Sequence, residues 1–66
     1  MKRYYIHNSH LISGRQVNRV IILRVGSDDS ARERFTNKRK SNPSIQEAGL
    51  YRAKDGVCIS EYIGYI

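Results

Sequence analysis

The stretch Ala31–Asn42, ARERFTNKRKSN, sets five cations (Arg32, Arg34, Lys38, Arg39 and Lys40) and one acid, Glu33, around a single aromatic, Phe35. Such a stretch can neutralise phosphate on a polyanion, or it can be the solvated face of a helix whose terminal cations complement the helix dipole. The rest of the chain favours an anionic partner. Residues 1–40 hold ten Lys/Arg and three Asp/Glu, and residues 41–66 hold two and three, so the net charge of +6 is +7 followed by −1. Arg outnumbers Lys by eight to four, which suits bidentate contact with phosphate or carboxylate. Arg15, Arg19 and Arg24 extend the basic set outside the stretch, and Tyr5 is the candidate to stack on a base.

Other chemistries lack their residues. His7 and His10 are three apart, which places them on one side of a helix but on opposite faces of a strand, so they make no metal site in an extended segment. Asp28-Asp29 lacks the alternating acids and distant Glu of a calcium loop. The five glycines stand singly, so no loop can cradle a nucleotide phosphate. Serines occur without a linked base and orienting group. His7, His10 and Arg15 would need a positioned pocket to act as a ribonuclease, and 66 residues leave little room for one. The expectation is a non-enzymatic protein without cofactor or metal.

The elements that must carry these side chains follow from local signals. "RYYIHNSHLI" and "QVNRVIILRV" are rich in β-branched and aromatic residues and flank Ser13-Gly14, which predicts a hairpin on a two-residue turn. Counting back from that turn sets Ile12 against Arg15, His10 against Val17, Ile6 against Ile21 and Tyr4 against Leu23. One face then carries Tyr4, Ile6, Ile12, Val17, Ile21, Leu23 and Val25 and is the expected core side. The other carries Arg3, Tyr5, His7, Gln16, Asn18, Val20, Ile22 and Arg24. A helix is expected next, with Ser30 and Glu33 as a capping box, Asp28-Asp29 at its positive end and Lys38–Lys40 at its negative end. Only Ala31 and Phe35 would face the core.

Pro43 must interrupt that helix. "PSIQEAG" is expected to make one further turn, with Asn42 as its cap and Gly49 at its exit. "LYRAK-DG-VCISEYIGYI" predicts a second hairpin on a type I′ turn at Asp55-Gly56. Cys58, the sole cysteine, is expected to act as a small hydrophobe and not as a reactive thiol, in a reducing, cytoplasmic setting. The basic start is followed by no apolar signal segment, and "VIIL" is far too short to span a membrane.

The predicted fold class is α+β: one small domain over 1–66 in ββαββ order, with a mostly antiparallel sheet and one main helix on one face. The apolar "YIGYI" tail suggests a homodimer through the C-terminal strand. Function is expected to be binding through the Arg/Lys surface, to nucleic acid or a nucleoprotein. The alternative is a small regulator or inhibitor of the phage or mobile-element type, docking on an acidic protein surface such as that of a host defence complex.

Overall fold

The computed structural model describes residues 1–64, and the chain order is ββαββ. Strands β1 (Lys2–Ile12) and β2 (Arg15–Val25) form the first hairpin, followed by helix α1 (Asp28–Ser41) and strands β3 (Ile45–Arg52) and β4 (Cys58–Ile63). The four strands make one antiparallel sheet in the order β2-β1-β3-β4.

The first hairpin has the register that its turn dictates. Ser13 and Gly14 both take positive φ, 51° and 77°, as a type I′ turn requires. Tyr4 accordingly pairs with Leu23, Ile6 with Ile21, His10 with Val17 and Ile12 with Arg15. The helix lies on the face that carries Tyr4 and Ile6. There Tyr4, Ile6 and Val25 meet Ala31 and Phe35 from α1 and Ile45, Ala48 and Leu50 from β3, all buried. Ile21, Leu23, Ile59 and Tyr62 border that core.

Two residues expected in the core lie outside it: Ile12 is exposed and Val17 only half-buried. Lengths explain this. Eleven strand residues run about 36 Å, whereas the fourteen residues of α1 run about 21 Å, and β3 pairs with β1 only as far as His10. The hairpin tip therefore projects beyond both. Ile45 and Ala48 are buried although three apart, because a register shift between Ser9 and His10 re-phases the alternation of β3.

Three local expectations are corrected. The helix cap is Ser27, whose Oγ accepts the Ser30 amide at 3.2 Å, so Ser30 and Glu33 are not the capping pair. No turn of helix follows Pro43. Asn42 instead closes α1, its Nδ2 donating to the Lys38 carbonyl at 2.7 Å, and β3 begins at Ile45. Asp55-Gly56 is not a two-residue turn: only Gly56 has positive φ (71°), and Gly56 N–H donates to Arg52 O at 2.7 Å within the longer loop between Arg52 and Cys58. The Asp55 carboxylate explains the preference, since it accepts from the Val57 amide and from the Arg52 guanidinium.

Arg52 ties the molecule together at the helix start. It donates to Asp28 at 2.9 Å and to Asp55 at 2.8 Å, and Asp28 also accepts from the buried Tyr4 hydroxyl at 2.5 Å. The Tyr4 hydrogen bond and the Arg52 charge hold the Asp28 carboxyl below the usual carboxylate range. Arg52 and the Val57 amide do the same for Asp55. The Asp28 acceptor and burial push the Tyr4 phenol up. Among the described residues no helix is long and apolar enough to cross a membrane.

Candidate functional site

Alternation along the strands gives the sheet a second face, which α1 does not cover. On β1 it carries Arg3, Tyr5, His7, Ser9 and Leu11, and on β2 the residues opposite them: Arg24, Ile22, Val20, Asn18 and Gln16. From β3 come Tyr51, Gly49 and Glu47, and from β4 Cys58, Glu61 and Ile63. Val20 is 64% and Ile22 56% exposed, far more than side chains under a second layer would be. An antiparallel sheet tolerates one wet face, but this one is not uniformly polar.

The rows across this face are chemically sorted. Arg3 and Arg24 pair at the end nearest the helix start. The next row is Ile22, Tyr5, Tyr51 and Cys58, with Tyr5 and Tyr51 directly opposed on the two central strands. Both rings are half-buried. Then come Val20, His7, Gly49 and Glu61, followed by Asn18, Ser9, Glu47 and Ile63. Gly49 shapes the middle: a Cβ there would stand 2.7 Å from both Cε1 and Oη of Tyr51. The Tyr51 ring thus lies along its own strand over a residue without a side chain.

The basic residues picked out in the sequence do not form one patch. Tyr5 and Arg24 share the open face. Arg15 and Arg19 alternate to the helix side of β2, exposed, with Arg15 on the projecting hairpin. Arg32 is held by Asp29 at 2.9 Å and donates its Nε to the Ile59 carbonyl at 3.3 Å, so it fastens α1 to β4. Arg39 lies 4.2 Å from the centroid of the Tyr62 ring, a cation–π contact with the same strand. Arg34 is exposed and borders a hollow with Met1, Arg24 and Asn37. Lys38 and Lys40 end the helix, half-buried and exposed respectively.

Much of the stretch 31–42 is therefore helix structure, and its cations fan out around the helix. Arg24 is the one that joins Arg3 and Tyr5. At that end Arg3 and Tyr5 also border a hollow of about 530 Å³ with Lys2, Ala53 and Lys54.

Tyr5 is legible in the sequence as a candidate and Tyr51 is not, because local signals give the strand of Tyr51 no register against β1. Cys58 is exposed, where β4 begins at a register shift opposite Tyr51. His7 is exposed on the open face, and His10 is buried on the other with Nδ1 3.0 Å from Ser44 Oγ. Among the described residues no three His, Cys, Asp or Glu converge as metal ligands. β4 stands at a sheet edge, but the apolar tail proposed as a dimer contact ends at Tyr65 and Ile66, outside the described residues. Compared with protein-family models, curated proteins and solved structures, the chain matches none of them.

Proposed function

We propose that the open face of the sheet binds single-stranded nucleic acid, without catalysis. The observation that supports this most is the Tyr5–Tyr51 pair, side by side on the two central strands of an uncovered antiparallel sheet. Unstacked bases lie on aromatic side chains presented in that way, and double helices do not offer their base faces. Arg3 opposite Arg24 supports the same reading. Like charges directly opposed across two strands destabilise a sheet, and among the described residues neither has an acidic partner. A phosphate between them would remove that repulsion. Lys54 borders the same hollow as Arg3 and Tyr5.

The test is fluorescence anisotropy with short RNA and DNA single strands at 50 and 200 mM salt. If about three phosphates are contacted, affinity should fall roughly twentyfold across that range. Replacing Tyr5 and Tyr51 by Ala should weaken binding by about 1–3 kcal/mol each. Replacing Lys38, Arg39 and Lys40 together should change it little, since they lie on α1 across the sheet. The opposite ranking would move the site to the helix.

A second reading rests on Val20 and Ile22, whose exposed side chains beside the tyrosines suit a protein partner, as a regulator or inhibitor would need. Absence of oligonucleotide binding at 50 mM salt would favour it.

A further inference from the structure

The row below the tyrosines leaves a gap in the open face. Gly49 stands between His7 and Glu61; the Tyr51 ring takes the space over it, and beside that ring lies a hollow of about 210 Å³, bordered by His7, Ser9, Asn18, Glu47, Tyr51 and Glu61. The Tyr51 ring reaches over Gly49, so a base laid on that ring extends across the hollow with its edge toward Glu47 and Glu61. The two glutamates are diagonal neighbours on adjacent strands, close enough for long side chains to reach a common group.

These carboxylates, like Glu33 on α1, differ from the aspartates. Asp28, Asp29 and Asp55 are each paired with an arginine. Glu47 and Glu61 are exposed, and among the described residues neither has a cationic partner. Among the described residues the sole side-chain donor to either is the Cys58 thiol, 3.7 Å from Glu61 Oε1. An ionised carboxylate only accepts hydrogen bonds and repels phosphate. At this end of the face, opposite the Arg3–Arg24 row, it is the base and not the backbone that can approach.

The chemistry of the base edges then discriminates. Guanine presents two adjacent donors, N1–H and N2–H, which one carboxylate can accept together. Adenine and cytosine present one amino donor beside an acceptor. Uracil and thymine present one imino donor between two carbonyls, which a carboxylate repels. Resting on the single-strand reading above, we infer that the Gly49 hollow is a base-reading pocket selective for guanine, with Glu47 and Glu61 as its acceptors beside the Tyr51 platform.

The test compares four RNA heptamers, U3-N-U3 with N as G, A, C or U, by anisotropy at 50 mM salt. A single guanine keeps the probe from forming quadruplexes. The G heptamer should bind about tenfold tighter than the U heptamer, a bidentate base contact being worth on that order. Glu47→Gln and Glu61→Gln should collapse the ratio toward unity while leaving binding of the U heptamer equal or tighter. A general electrostatic effect would instead shift all four probes alike and overturn the inference. Equal binding of the four probes by the native protein, with loss on Tyr51→Ala, would overturn guanine selection and leave the stacking surface standing. Failure of all four to bind would overturn both. Thermal melts of the two Gln variants confirm that folded protein is being compared.

Discussion

Tyr4 and Tyr5 are neighbours in the chain and leave β1 on opposite sides, and the sheet treats them in opposite ways. Tyr4 is fully buried between helix and sheet, its hydroxyl donating to Asp28. Tyr5 is half-buried on the open face beside Tyr51. The same division runs through the sheet. On the covered face, polar groups such as the Tyr4 hydroxyl and His10 have partners, and Phe35 is the large apolar side chain that α1 contributes. On the open face, two arginines are opposed, two glutamates lack cations among the described residues and aliphatic side chains stand in water. The covered face is arranged for its own stability. The open face is left unsatisfied in ways that a ligand could satisfy.

Substitution at Phe35 should break this comparison most severely. Phe35→Ala removes the main contact of α1 and should cost about 3–5 kcal/mol, comparable to the roughly 3–5 kcal/mol that one core supplies in a chain of this size. Circular dichroism at 25 °C should then show a largely unfolded protein. A cooperative melt close to that of the native chain would mean that the helix is held by its ion pairs and not by its aromatic.

A smaller effect comes with pH and also belongs to the covered side. Asp28 and Asp55 have lowered pKa values in the folded state. Their contribution is therefore present above the unfolded value of about 4 and is lost as pH falls through the lower folded values. Tyr4 has a raised pKa; its contribution is present below about 10 and is lost as pH rises through the higher folded value. Urea midpoints should form a plateau between these limits and decline on both sides. Asp28→Asn should flatten the acid limb, and an unchanged limb would assign it to other carboxylates.

The smallest effect is expected on the open face. Val20→Thr together with Ile22→Thr should change stability by only about 0.5 kcal/mol, because both side chains are already mostly in water. A larger loss in urea unfolding would show that something covers this face in solution, and a concentration-dependent midpoint would identify it as a second copy.

Much of this architecture is legible in the chain because its causes are local. A two-residue turn at Ser13-Gly14 dictates the register of eleven residue pairs, since each step back along one strand is matched by one along the other. The placement of acids and bases along the helix and the spacing of Ala31 and Phe35 likewise follow from one element alone. Loops were harder to read. The Asp55 side chain competes for the backbone of its own turn, and Ser27 takes the cap although Ser30 fits the familiar pattern. In both cases two local solutions differ by little, and the neighbouring chain selects one.

The sequence by itself thus determined the order of elements, the first hairpin with its two faces and the core-facing residues of the helix, because turn geometry and side-chain alternation act over a few residues. Tertiary structure alone decided that Tyr51 lies beside Tyr5 with its ring over Gly49, and that Glu47 shares that face. These facts depend on how β3 pairs with β1 across an intervening helix, and a shift of one residue in that pairing would have turned every one of those side chains to the other face.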